Sequence, residues 1–154
     1  MDSDGALDIV VGTSNTDLFE VRHKLLYFKP VPGSYNVTTL YEYTNTENGY
    51  PSSVALGDLN GDGDLDILVG IYSGLNKLLL SVDDGRVLSA FPNNNSVYTQ
   101  SVAFGDVDGD GDLDALLGNT NPFSTGAANE LLLNRGDGNF TKVEGFPGGA
   151  AVTY

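Results

Sequence analysis

The sequence predicts an all-β fold built by internal repetition, and three observations carry that expectation. Twenty glycines, eight tyrosines and many Val, Thr and Leu residues, with no long stretch of helical period, point to short strands joined by tight turns. The segment "GDLNGDGDLDILVG" (57–70) returns as "GDVDGDGDLDALLG" (105–118) with four letters changed. A later segment repeats in the same order, "NKLLLSVDDGRVL" (76–88) matching "NELLLNRGDGNFT" (129–141). The opening "DSDGALDIVVG" aligns with the acidic segment at a step of 58, and "HKLLYFK" (23–29) fits the second slot, so the unit occurs three times.

Each unit reads as four strands. Ser53–Gly57 and Ser101–Gly105 alternate small or polar with apolar residues, as a strand entering the acidic loop would. "DILVGIY" and "DALLG" leave the loop as second strands, and "KLLLSV" and "ELLLN" make the third. "DDG" and "RGDG" supply turn residues before a fourth strand in "RVLSAF" or "FTKVEGF". Four antiparallel strands in about 50 residues is the size of a β-propeller blade, and runs such as LLLS suit strands buried on both faces. The units divide as 1–50, 51–98 and 99–154. Met1 falls at position 2 of the first acidic loop, so the first blade lacks its incoming strand. Propellers close with about four to eight blades, and three are expected to form part of a larger ring or one completed by other copies.

Composition bounds the partners. The 154 residues hold 40% apolar side chains and 15 aromatics, enough for a core, with 7 basic against 21 acidic residues and a net charge of −14. That balance excludes a polyanion such as nucleic acid and favours cations. The absence of cysteine excludes disulfides and thiolate metal sites. No apolar run is long enough to cross a membrane, and the acidic opening MDSDGALD is unlike a signal peptide.

The acidic loops carry the chemistry. Counting from Asp58, oxygen-bearing residues stand at positions 1, 3, 5, 7 and 9, namely Asp58, Asn60, Asp62, Asp64 and Asp66, with Gly63 at position 6. The third copy has Asp106, Asp108, Asp110, Asp112 and Asp114 around Gly111. The first has Asp2, Asp4 and Asp8 at positions 3, 5 and 9, with Ala6 at 7, where a backbone carbonyl serves. Calcium is a hard cation that takes six to eight oxygens at about 2.3–2.6 Å, and alternate residues of a curled loop can aim inward. Solvated acidic turns are the plain alternative, but that many carboxylates within nine residues repel without a cation. An EF-hand would need a Glu at position 12 between helices, where Val69 and Leu117 stand amid strand-like sequence. Two complete Ca²⁺ sites and an incomplete third are expected.

The pattern D-x-[DN]-x-D-G-x-x-D before an apolar strand, with Phe104-Gly105 ahead of it, resembles the FG-GAP repeats of integrin-α-type β-propellers. "ELLLNRGDGNFTKV" is similar to the extended, VCBS-like form. The resemblance implies a calcium-bearing propeller, commonly extracellular. The GAP tripeptide is replaced by Gly70-Ile71-Tyr72 and Gly118-Asn119-Thr120.

Other features are subordinate. Arg135-Gly136-Asp137 spells an adhesion tripeptide, but turn chemistry already explains it. Asn36, Asn94 and Asn139 head glycosylation sequons, a modest sign of an extracellular or cell-surface glycoprotein. His23 has no catalytic constellation around it, and no nucleophile–base pair is visible, so no enzyme is expected. Tyr27, Tyr35, Tyr41, Tyr43, Tyr50 and Tyr72 could line a sugar-binding face or pack against strand neighbours. Two function classes follow: a structural or adhesion module whose loop faces bind proteins, and a carbohydrate-binding module or scaffold of a surface enzyme. The expected partners are the remaining blades of a parent protein or other subunits, with a protein or glycan ligand.

Overall fold

The computed structural model describes residues 9–17, 20–43, 49–82, 85–89, 91, 97–123 and 127–146. Eleven strands run through them: β1 (Ile9–Asp17), β2 (Glu20–Val31), β3 (Ser34–Tyr43), β4 (Tyr50–Gly57), β5 (Asp66–Gly74), β6 (Lys77–Val82), β7 (Gly85–Ser89), β8 (Val97–Gly105), β9 (Asp114–Thr120), β10 (Glu130–Asn134) and β11 (Phe140–Lys142). Every strand pair is antiparallel. No helix among the described residues is long and apolar enough to cross a membrane.

Chain order sets neighbour order. β1-β2-β3 form a three-stranded meander, and β4-β5-β6-β7 and β8-β9-β10-β11 form two four-stranded ones. Short turns explain this, since two strands joined by a few residues can pair only antiparallel. The far ends of β5 and β8 pair through Tyr72↔Tyr98 and Gly74↔Val97, so the last two meanders make one eight-stranded sheet. The sheet is not closed among the described residues.

The meanders also pack face to face, and β5 shows why its sequence is apolar at every step. Ile67, Val69 and Ile71 join Leu79 in one buried cluster, against which Val10 of β1 packs. Leu68 points the other way, into a cluster with Leu59, Leu78, Phe91, Ala115, Leu117, Leu132 and Phe140. Alternation along the strand therefore sends odd residues toward β1 and Leu68 toward β9 and β10. Each fully buried leucine here contributes roughly 1.5–3 kcal/mol. Gly70 lets the layers approach: a Cβ there would lie 2.9 Å from Thr99 Cγ2 and 3.0 Å from Val102 Cγ1.

Candidate metal centre

Each of the two described acidic loops closes the hairpin between the first two strands of its unit. Gly57 pairs with Asp66 across the base of loop 58–65, and Gly105 with Asp114 across that of 106–113. The interior of each loop is held by its own carboxylates. Asp58 accepts the Gly61 N–H on Oδ1 (2.8 Å) and the Gly63 N–H on Oδ2 (2.9 Å). Asp106 does the same for Gly109 (2.7 Å) and Gly111 (3.1 Å). Asn60 Oδ1 accepts from Asp62 N and Asp62 Oδ1 from Asp64 N, just as Asp108 and Asp110 accept from Asp110 N and Asp112 N.

This winding needs left-handed backbone at positions 4 and 6, where Gly61 and Gly63 have φ of 73° and 90°, and Gly109 and Gly111 of 81° and 96°. Glycine is the residue that enters this region without a steric penalty. The position 6 glycine was legible as a turn requirement; the position 4 glycine plays an equal part.

Position 9 has a second role that spacing did not reveal. Asp66 is fully buried and accepts two backbone N–H groups, Leu59 N on Oδ2 (2.8 Å) and Ser81 N on Oδ1 (2.7 Å). Asp114 repeats this with Val107 N and Asn134 N, both at 2.9 Å. The side chain expected to face an ion thus also ties the loop to the third strand of its unit. Burial pushes the Asp66 carboxyl up, and Asp62 and Asp58 push the same way, against the two N–H groups.

Asp106, Asp108 and Asp114 bring carboxylate oxygens within 4.8 Å of one another, a group that could hold a metal ion. Desolvation pushes the Asp108 carboxyl up, and the nearby negative charges of Asp110, Asp114 and Asp106 add to it against the Asp110 N–H. A cation would relieve that repulsion. In loop 58–66 the position 3 residue is Asn60, whose Nδ2 donates to Asp62 Oδ2 (2.9 Å), and no three carboxylates of that loop gather as closely among the described residues. Asp64 and Asp112 each offer a position 7 carbonyl, as the spacing requires. Asp2, Asp4, Ala6 and Asp8 lie outside the described residues.

The family model for the FG-GAP-like repeat matches residues 1–69. Residues 1–69 carry an FG-GAP-like repeat. The match runs through the first unit and the whole of loop 58–66 into β5, and in loop 106–114 Asp106 accepts from Gly109 N and Gly111 N as Asp58 does from Gly61 N and Gly63 N. No curated protein matches the chain.

The other sequence-level candidates fall as follows. Arg135-Gly136-Asp137 lies in the β10–β11 turn of the third unit. Asp137 accepts from Asn139 Nδ2 (2.9 Å) and Asn139 N (3.0 Å), which lowers its carboxyl, and Arg135 Nη2 donates to Thr141 Oγ1 (2.9 Å). That turn docks on the preceding acidic loop, where Leu59 O accepts from Gly138 N (3.0 Å) and Asn134 Nδ2 (2.8 Å). The side chains of His23, Tyr27, Tyr35, Tyr41 and Tyr43, and the Asn94 sequon, lie outside the described residues, whereas Asn36 is exposed on β3. Tyr50 and Tyr72 stack at 5.0 Å, Tyr72 meets Tyr98 edge-on at 5.0 Å, and Tyr98 meets Phe123 at 5.9 Å. Sequence reading also missed the asparagine that opens each "NKLLL" or "NELLL" landmark. Asn76 Oδ1 accepts the Ile71 N–H and Asn129 Oδ1 the Asn119 N–H, closing the β5–β6 and β9–β10 connections. Its recurrence at matched positions was the available signal.

Proposed function

We propose that this FG-GAP-like chain is a non-catalytic, calcium-braced β-propeller segment, working as a structural or adhesion module outside the cell or at its surface. The single observation that carries the reading is the convergence of Asp106, Asp108 and Asp114, whose carboxylate oxygens lie within 4.8 Å of one another in one loop. All the donors are hard oxygens, and the loop spacing suits Ca²⁺ better than Mg²⁺, which demands a tighter octahedron and keeps more of its water. Asp106, Asp108, Asp110 and Asp114 would hold one ion with the Asp112 carbonyl, and Asp58, Asn60, Asp62 and Asp66 a second with the Asp64 carbonyl. The ion would brace the hairpin, leaving other loop faces to bind a protein.

Calcium titration by calorimetry of the folded chain tests this. At least two sites are expected, in the roughly 10⁻⁴–10⁻³ M range of extracellular modules. Asp108→Ala should remove one of them. Folded protein that gives no heat at millimolar Ca²⁺ refutes the reading.

A second reading has its own observation. The aromatic row Tyr50, Tyr72, Tyr98 and Phe123 ends in a ring that is 83% exposed, which suits stacking on a sugar ring. Glycan-array binding that Phe123→Ala abolishes, with Ca²⁺ titration unchanged, would favour a carbohydrate-binding module.

A further inference from the structure

Loops 58–66 and 106–114 wind alike but differ at position 3, where the second unit has the amide of Asn60 and the third the carboxylate of Asp108. Among the described residues Asn60 is the one asparagine followed by glycine. In an Asn-Gly pair the next backbone nitrogen can attack the side-chain amide, because glycine puts no side chain in the way.

The loop holds the reacting groups together. Asn60 Oδ1 accepts the Asp62 N–H (3.1 Å), an Asx turn that folds the amide back along the Asn60–Gly61 peptide bond. That N–H polarises Asn60 Cγ and faces the oxygen on which negative charge would develop. The nucleophile is equally placed, since Gly61 N donates to Asp58 Oδ1 (2.8 Å), a carboxylate able to take its proton. Gly61 is exposed, and a Cβ built on it would find nothing within 4 Å, so water reaches the pair.

We infer that Asn60 is a site of spontaneous deamidation through a cyclic imide, which turns loop 58–66 into the all-carboxylate type of loop 106–114. Gly61 N attacks Asn60 Cγ, and the new C–N bond forms as the Gly61 proton passes to Asp58 Oδ1. The intermediate collapses by breaking Cγ–Nδ2, and Nδ2 leaves as ammonia with the proton that Asp58 returns through water. A second water opens the imide. Addition at Cγ breaks its bond to Gly61 N and restores the main chain with an aspartate at position 60. Addition at the main-chain carbonyl leaves the chain running through Cγ as isoaspartate. An amide and a water are consumed, a carboxylic acid and an ammonia are formed, and nothing is oxidised or reduced.

The third unit shows that the aspartate product fits. With an acid at position 3, Asp106 still accepts from Gly109 N and Gly111 N, and Asp108 Oδ1 from Asp110 N (3.3 Å). The amide alone supplies the bond from Asn60 Nδ2 to Asp62 Oδ2 (2.9 Å), which is exposed and of modest worth. Isoaspartate, by contrast, lengthens the main chain between positions 60 and 61 and shifts the N–H groups that Asp58 receives.

Ageing the chain at mildly alkaline pH in chelator, with peptide mapping by mass spectrometry, tests this without any dependence on calcium. Asn60 should convert at least about tenfold faster than Asn36 and Asn139, exposed asparagines followed by Val37 and Phe140. Mapping keeps its signal apart from that of Asn48, which precedes Gly49. Asn60→Asp, made as the authentic product, should give the wild-type far-UV circular dichroism and co-elute on anion exchange with the aspartate form of aged wild type. Asn60→Gln should keep its amide over the same period. An Asn60 amide that lasts as long as those of Asn36 and Asn139, an imide that opens to isoaspartate alone, an Asn60→Asp chain that does not fold, or an Asn60→Gln chain that loses its amide as fast overturns the inference.

Discussion

Replacing Asp66 with Ala separates the structural work of the acidic loop from its metal chemistry. The carboxylate is fully buried and accepts hydrogen bonds from Leu59 N and Ser81 N. Alanine leaves both donors without that acceptor, and an unsatisfied buried N–H costs about 1–3 kcal/mol, which puts the gross loss at about 2–6 kcal/mol. Removing a buried charge returns part of this, because burial already disfavours the ionised carboxyl, whose proton affinity it raises. The expected net loss is about 2–4 kcal/mol, a large share of the roughly 5–15 kcal/mol that holds an ordinary domain together. Urea unfolding in chelator, followed by tyrosine fluorescence and circular dichroism, measures it without any contribution from bound ion.

Asp62→Ala is the matched comparison, because Asp62 is exposed and, among the described residues, accepts from Asp64 N and Asn60 Nδ2 alone. In chelator it should unfold close to wild type; in Ca²⁺ it should lose the stabilisation that the ion gives wild type by binding the folded state. An Asp66→Ala loss below about 1 kcal/mol in chelator would show that the two N–H bonds do not hold the loop to β6.

The contact between the last two meanders is tested by Gly70→Ala, whose methyl would meet Thr99 Cγ2 and Val102 Cγ1 at 2.9 and 3.0 Å; a loss of about 1–3 kcal/mol in urea unfolding is expected, and unchanged stability would mean that β8 yields freely. Between β10 and β11, Lys142 Nζ donates to Glu130 Oε1 (2.7 Å), and Glu130 is buried with no partner for Oε2 among the described residues, so Lys142→Met should destabilise the fold by about 1 kcal/mol and Glu130→Gln on that background should restore part of it. The hydrogen bond that Lys142 Nζ donates to Glu130 raises the ammonium above the usual lysine value, so its contribution is present below that usual value and lost as pH climbs through the raised one; the alkaline melting profile of Lys142→Met should lack that step.

Much of the fold was legible because it is local. Hairpin turns, period-two apolar runs and the spacing of the acids each depend on residues a few places apart, and the strand starts at Asp66, Lys77, Asp114 and Glu130 fall where those signals put them, whereas β4 and β8 begin earlier than Ser53 and Ser101 and β11 stops at Lys142, short of the expected "FTKVEGF". The centre's position 6 glycines and alternating carboxylates were legible for the same reason. Illegible were the bonds that join distant residues. That Asp66 would spend its oxygens on Ser81 N, 15 residues away, depends on where β6 lies across β5, which spacing alone leaves open. The pairing of β5 with β8 was hidden likewise, since it follows from how two meanders twist together and involves only the strand ends.

The two acidic loops are not independent constructions. Leu59 gives its N–H to Asp66, and its carbonyl accepts from Asn134 Nδ2; Asn134 gives its own N–H to Asp114. Asp66, Leu59, Asn134 and Asp114 are all buried, so this path from one loop to the other runs out of water throughout. In such surroundings each bond polarises the next, and a break is dearer than at the surface. Position 9 is thus where both loops meet the body of the sheet, and position 2 is where one loop takes hold of the following unit. The residue at position 2 needs an apolar side chain to be covered and a backbone free to bond on both sides, which Leu59 satisfies by lying beneath the β10–β11 turn. An acidic loop of this chain therefore does two jobs with one backbone: its polar side chains wind it into a cradle of oxygens, and its second residue joins neighbouring units.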